Sequence, residues 1–345
     1  MKKIFLIGFL LYFYLYNAYA QSITNLVFEG AGIRGIAYSG AIKKLEEHKL
    51  MDSIEKVGGT SAGAITALMI AIGYNSEEIY SIISTTKFQK FNDGQYAFIG
   101  GFSRMKKRYG WYRGNEFTKW LEKLIEAKTG NSEITFRQLE DKGYKSLFVT
   151  ATCINKQKLI VFSKQTYPDM KVKDAVRISM SVPLYFEAVF IDSAGAIHPK
   201  PKKNETLDIM VDGGIIGNFP IFIFDSIITD SNGRQIRIAN PATLGIRIDS
   251  DSQIQQDSIH AGLAEIPIEN INDFVQAFYV LVLENLNRTP LIPEDWERTI
   301  SVSSVGIGPK IKRLSESQKQ ALIQSGERFT EDFFKARTKN QPKRQ

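Results

Sequence analysis

Apolar and polar positions along the chain follow two periods that take turns. Short apolar runs of strand type recur at residues 25–29, 54–58, 146–153, 158–163, 187–191, 207–211, 243–248 and 299–305. After the first run, residues 35–48 place Ile36, Ser39, Ile42 and Leu45 at helical spacing, and after the second, residues 62–72 form a small-residue, largely apolar helix. Further helices are predicted at residues 76–83, 115–128 (with Asn115 as cap), 172–180 and 315–336. Residues 271–286 are apolar around most of a helical circumference, which predicts a buried helix. Residues 87–114, rich in aromatic, glycine and basic positions, show no clear period and read as a long loop or lid, and residues 192–205 as a polar excursion. Strand and helix patterns in alternation predict parallel strands joined by crossover helices. The expected fold is therefore α/β, a three-layer sandwich around a central, mostly parallel sheet.

The N-terminus departs from this pattern. Lys2-Lys3 are followed by an apolar stretch at residues 4–16 and by Ala18-Tyr19-Ala20, a small-x-small cleavage site. Thirteen apolar residues fall short of the roughly twenty that span a membrane. Residues 1–20 are thus expected to be a signal peptide, and the protein to be exported to the periplasm or beyond. Of the 345 residues, 43% are hydrophobic and 23% charged, a globular composition able to bury a core. The net charge is +7, and +5 without Lys2 and Lys3, which permits contact with anionic surfaces. No nucleic-acid-binding motif is visible, so no nucleic-acid partner is expected. The single cysteine, Cys153, excludes an internal disulfide and a cysteine-based zinc cluster. No constellation of metal ligands stands out.

Three glycine-bearing motifs sit where strands end. Gly59-Thr60-Ser61-Ala62-Gly63 joins the second strand to the second helix, the setting of a nucleophile elbow, in which a sharp turn pushes a serine Oγ out of the sheet. The helix that follows would aim its N-terminal amides at developing negative charge. Gly30-Ala31-Gly32-Ile33-Arg34-Gly35 has the same strand-to-helix placing. It satisfies the spacing of a dinucleotide loop, but the second strand runs into Ser61 rather than ending on an acidic residue about twenty positions on. The better reading is an oxyanion hole, where one backbone donor is worth about 10²–10³ in rate. Arg34 either adds charge to the hole or braces the loop. Asp212-Gly213-Gly214 closes the run at residues 207–211 and is either a turn or the site of a carboxylate base. An aspartate near its ordinary pKa of about 3.9 is a poor base for a hydroxyl. Partial burial, a Ser61 hydrogen bond and the helix dipole would have to compensate. The three histidines, His48, His198 and His260, read more simply as surface residues.

The three motifs in this order resemble the patatin-like phospholipase family, whose pattern is Gly-Gly-Gly-x-Arg/Lys-Gly, Gly-x-Ser-x-Gly and Asp-Gly-Gly/Ala. Ser179-Met180-Ser181-Val182-Pro183 and Asn218-Phe219-Pro220 match two further family segments. The resemblance runs over about residues 24–223, with residues 224–336 expected to complete the same fold and 337–345 to form a basic, flexible tail. Ala31 departs from the pattern where a glycine is usual. The resemblance implies Ser61 as nucleophile and Asp212 as base of a dyad. The amides of Gly32, Ile33 and Arg34, within the loop from Gly30 to Gly35, would form the oxyanion hole, with Gly59, Gly63, Gly213 and Gly214 as motif glycines. It implies no cofactor, and a phospholipid or other acyl-ester lipid as substrate. The alternatives are a Ser61-Asp212-His260 triad, since that chain order also occurs among serine esterases, and an inactive lipid-binding relative. The alternation of cations and aromatics from Arg104 to Arg113 suits a peripheral membrane contact as well as a solvated loop.

Overall fold

The computed structural model describes residues 22–94, 97–199, 206–259, 261–282, 287–288, 291–308 and 313–340. The apolar segment at 1–20, the lysine-rich stretch at 200–205, His260 and residues 341–345 lie outside the described residues. Strand β1 (Asn25–Phe28) passes through a 3-10 turn (Gly32–Ile36) into α1 (Ala37–Glu47), and β2 (Lys56–Gly59) turns into α2 (Ala62–Ala71). Next come α3 (Ser76–Thr85), α4 (Ala97–Arg108), β3 (Gly110–Tyr112), α5 (Asn115–Thr129) and α6 (Phe136–Asp141). A long strand, β4 (Ser146–Cys153), forms a hairpin with β5 (Lys158–Phe162). Then α7 (Val172–Ser179), β6 (Leu184–Phe186), β7 (Val189–Ile191), β8 (Ile197–His198) and β9 (Asp208–Asp212) lead to the short α8 (Gly214–Gly217). The last part comprises the hairpin of β10 (Ser226–Thr229) and β11 (Gln235–Ile238), then β12 (Thr243–Asp249), α9 (Asp251–Ser258) and α10 (Ile271–Val280). It ends with α11 (Pro293–Glu297), β13 (Thr299–Ser303) and α12 (Glu316–Asn340).

Among the described residues nine strands form the main sheet in the order β13-β12-β1-β2-β4-β9-β7-β8, with β5 also on β4. From β13 to β4 every pairing is parallel, whereas β5, β9, β7 and β8 are joined antiparallel. Parallel strands are covered on both faces and therefore read as continuous apolar runs. Adjacent residues of β2 show the two covers: a Cβ on Gly59 would meet α2, and one on Gly58 would meet Ile223. Among the described residues no helix is long and apolar enough to cross a membrane.

One arrangement on β4 decides where the site forms. Its first half, Ser146 to Val149, pairs with β2, and its second half, Ala151 to Cys153, pairs with β9. Because β5 occupies the opposite edge along residues 149–153, β2 and β9 share one edge. Gly59 stands opposite Val149 and Asp212 opposite Ala151, so the end of β2 runs directly toward the end of β9.

Four expectations need correction. The described part of residues 87–114 forms a 3-10 turn (Phe88–Phe91), α4 and β3, which pairs with β6; no single period runs through the stretch because a turn, a helix and a strand share it. The described part of residues 271–286 is not buried: α10 exposes Ile271, Phe274 and Phe278. Residues 337–340 continue α12 rather than starting a tail. Finally, α5 is capped by Asp93, whose carboxylate accepts from the amides of Gly114, Asn115 and Glu116 at 2.6, 2.8 and 3.2 Å, so Asn115 is no cap.

β12 carries a buried arginine that braces β1. Arg247 Nη2 donates to Glu29 Oε1 at 3.0 Å and its Nε to Asp249 Oδ2 at 2.9 Å, while Ile248 N–H donates to Glu29 Oε2. Arg288 bonds both Asp249 and Asp257. Burial alone would raise the Asp249 carboxyl, but Arg247 and Arg288 hold it below its ordinary value. Glu29 immediately precedes the glycine loop, so this network anchors the loop's stem. Arg247→Met leaves two buried carboxylates short of a partner and is expected to cost about 3–5 kcal/mol in urea unfolding. A loss under about 1 kcal/mol would show that the network does not hold the stem.

Candidate active site

Ser61 occupies the turn between β2 and α2 with φ 53° and ψ −121°, a backbone conformation that side-chain-bearing residues rarely adopt. The flanking glycines make the turn possible by contact rather than by flexibility. A Cβ on Gly59 would lie 2.5 Å from the Gly63 carbonyl, and one on Gly63 would lie 2.3 Å from the Phe28 carbonyl oxygen. Any larger residue would push α2 off the sheet. Ser61 N–H donates to Ser179 Oγ at 2.9 Å, and Thr60 Oγ1 donates to Gly217 O at 2.8 Å while sharing a bond with Thr150.

Asp212 ends β9 and is fully buried. Its N–H donates to Ser181 O at 2.9 Å, and its Oδ1 accepts from Gly214 N–H at 2.7 Å. The segment from Ser179 to Ser181 therefore clasps both residues, one by its hydroxyl and the other by its carbonyl. Ser61 lies near enough to Asp212 to lower its carboxyl, yet Ser61 Oγ donates to Met180 Sδ at 3.3 Å and leaves Asp212 Oδ2 without a hydrogen-bond partner. The thioether is a weak acceptor, and a small rotation of the hydroxyl would trade it for the carboxylate. Burial pushes the Asp212 carboxyl up to about 7, against the opposing pull of the Gly214 amide and the Ser61 hydroxyl. Desolvation alone thus makes the aspartate basic, and the nearby Ser61 hydroxyl, expected to help, pulls the other way.

The glycine loop lies beside Ser61: a Cβ on Gly30 would stand 3.3 Å from Ser61 Cβ. Ala31 has φ −127° and the positive φ falls on Gly32, at 55°, so the alanine departure carries no strain. Of the loop amides, Gly30 N–H donates to Asn218 O and Arg34 N–H to Ala31 O, while Gly35 lies within the 3-10 turn. Gly32 and Ile33 open that turn, where N–H groups find no partner within it. Both line the cavity with Ser61. The Arg34 amide is thereby taken out of the expected donor set. Its side chain turns back to Ala31 O at 3.1 Å and acts on Asp249, which makes it a brace. Asn218 fixes the loop from the other side by donating to Gly30 O at 3.0 Å, and Asn287 bonds both Asn218 and Gly214. Asn287 has no signal in the sequence, lying 73 positions from its partner.

Over Ser61 opens a cavity of about 380 Å³ whose wall is largely aliphatic and aromatic: Ile65, Phe88, Phe117 and Phe186 inside, Val275 and Tyr279 of α10 at its side. A larger groove of about 1090 Å³ lies beyond Ile83 and Phe88, but neither Ser61 nor Asp212 faces it. Of the histidines, His48 pairs with Glu331 and His198 with Asp192, away from this cavity. In the segment from Arg104 to Arg113, Arg104 bonds Trp111 O and Gly94 O, and Arg108 pairs with Glu187, so two of its cations serve the fold.

Residues 26–225 match the family model of patatin-like phospholipases. The chain is 30% identical over 322 residues to the uncharacterized protein YqhO of Bacillus subtilis (strain 168), covering 90% of this chain and 97% of that one. It is 27% identical over 216 residues to the probable lipid hydrolase 463L of Invertebrate iridescent virus 6, covering 61% and 66%. VipD from Legionella pneumophila has a similar structure, with a TM-score of 0.54 at 15% identity over 92% of this chain and 67% of that chain. At that identity the likeness speaks for the mixed α/β fold with its mostly parallel central sheet.

The raised carboxyl has a consequence for stability. Below pH 4 the group is protonated folded or unfolded; between about 4 and 7 only the folded state holds the proton, so stability falls as pH rises through that window. Asp212→Asn keeps an acceptor for the Gly214 amide and removes the ionisation. Urea titrations should find the variant more stable than the parent above pH 7, by roughly 4 kcal/mol at most, and equal to it at pH 4. Parallel pH profiles would mean that Asp212 ionises as it does in water.

Proposed function

The chain belongs to the patatin-like phospholipase family and is a hydrolase, and on that premise we propose that it is an exported serine acyl hydrolase. It cleaves lipid acyl esters, as a phospholipase A or lysophospholipase, through a dyad of Ser61 and Asp212. The observation that carries the reading is a buried carboxyl poised at about 7 beside a strained serine. A base is most effective when its pKa lies near the working pH. An apolar cavity of about 380 Å³ over that serine suits an acyl chain.

In the proposed reaction Asp212 Oδ2 takes the Ser61 proton as Oγ attacks the ester carbonyl. The oxyanion that forms accepts hydrogen bonds from the Gly32 and Ile33 amides, with the N-terminus of α2 adding its dipole. Collapse breaks the ester C–O bond, and Asp212 returns the proton to the departing lipid alcohol. A water molecule then attacks the acyl-enzyme, with Asp212 again accepting the proton; collapse breaks the Ser61 Oγ–acyl bond, Asp212 returns the proton to Ser61 Oγ, and the fatty acid leaves. Charge separation is brief and occurs where water is excluded, so each donor counts for more than it would in solution.

Export rests on the basic start, the apolar stretch and the Ala18-Tyr19-Ala20 site. N-terminal sequencing of the protein from culture should then begin at Gln21. For the chemistry, Ser61→Ala and Asp212→Asn should each lower ester hydrolysis by roughly three orders of magnitude or more, and His260→Ala should leave it within about twofold. Loss of activity in His260→Ala would favour the triad, and near-parental activity in either dyad variant would end this assignment.

A further inference from the structure

α10 wears its apolar face outward. Ile271, Phe274, Val275 and Phe278 follow the i, i+3, i+4, i+7 spacing of a single helical stripe, and are 71%, 54%, 51% and 60% exposed. In a surface helix of a globular protein that stripe faces the core. The exposed apolar row extends on both sides, through Leu263, Ile266 and Ile268 before the helix and Leu281 after it. Contiguous apolar surface of this kind marks a site of contact. The same helix also reaches inward, since Val275 and Tyr279 line the cavity that holds Ser61. The outer stripe is therefore continuous with the entrance to the reaction cavity.

Charge narrows the choice of occupant. Residues 261–282 contain Glu265, Glu269 and Asp273 and no lysine or arginine. An anionic surface would be repelled, and a folded partner covering α10 would close the entrance that Val275 shares. A net-neutral lipid surface meets both conditions, because its interior accepts the apolar stripe and its molecules are themselves candidates for entry.

We propose that the outward face of α10 docks this hydrolase on lipid aggregates with net-neutral headgroups, so that an acyl chain passes from the aggregate along Val275 and Tyr279 to Ser61. The proposal rests on the acyl-ester reading of the site. Phe274 and Phe278 insert at the level of the acyl boundary, while the acidic residues stay in water. Docking of this kind is driven by apolar burial and depends little on ionic strength, unlike contact made through basic residues.

The test uses the Ser61→Ala protein in its processed form from Gln21 on, so that binding is read without hydrolysis and without the apolar N-terminal stretch, in flotation with phosphatidylcholine vesicles at low and high salt. Binding is expected at both, and Phe274→Asp with Phe278→Asp should weaken it roughly tenfold or more, with the unfolding midpoint unchanged. A second measurement needs no disruptive change: an environment-sensitive dye on Ile271→Cys should shift to the blue on phosphatidylcholine vesicles, Cys153 being buried. Retention of binding by the double variant would overturn the proposal, as would an unshifted dye. Binding only to phosphatidylserine vesicles, released by salt, would do so as well and would assign docking to basic residues. A parent that light scattering finds dimeric, and that the double variant makes monomeric, would show a second copy covering α10 and overturn it too. Vesicle binding by Ser61→Ala together with an inactive parent would leave docking intact and remove the acyl-ester reading.

Discussion

The site depends on a change of partner along one edge of β4. For its first four residues that edge is held by β2, running parallel; for its last three it is held by β9, running the opposite way. Two strands that never pair with each other are thereby aimed end to end. One delivers Ser61 at the top of its turn and the other delivers Asp212. Backbone hydrogen bonds, not side-chain contacts, set the distance between two residues 151 positions apart in the chain. That leaves the side chains free to serve chemistry.

Burial then does what the residue type alone does not. A solvated aspartate would be too weak a base, and the sheet removes the water that keeps it so. The cost falls on folding stability, while at the stem of the glycine loop Glu29, Arg247, Asp249 and Arg288 form a buried ionic cluster. Gly32 takes its positive φ at no steric cost, and the first two amides of the 3-10 turn lie beside the cavity, free of partners within that turn. Met180 occupies the remaining direction of the Ser61 hydroxyl with a weak acceptor, so the resting serine is held without being committed.

Much of the candidate site is legible in the sequence alone, because its informative features are local. A glycine that must touch a backbone carbonyl, as Gly63 must touch Phe28, leaves a short motif, and a strand-turn-helix sequence gives that motif its place. The alternation of periods likewise predicts a largely parallel sheet. What the sequence hides is non-local. Nothing in residues 208–212 says that β9 runs antiparallel to β4, nor that Arg247, a charge inside an apolar run, finds Glu29 across the neighbouring strand. Asn287 and Met180 gain their roles only through contacts made by folding. The hydrophobic pattern of α10 is visible but ambiguous, because periodicity identifies an apolar face without saying whether protein or something else covers it. The aromatic-rich stretch around α4 and β3 is opaque for another reason, since a turn, a helix and a strand follow one another there and no single period spans them.

The most direct test of the dyad is the rate at which a soluble fluorophosphonate labels Ser61 as a function of pH. On the proposed mechanism, labelling consumes the same proton transfer to Asp212, and it needs neither a lipid surface nor product release. The rate should rise with pH along a single titration centred at about 7 and level off above it. A midpoint near 4, where an ordinary aspartate ionises, or a rate that stays flat across the neutral range, would contradict a base made by burial.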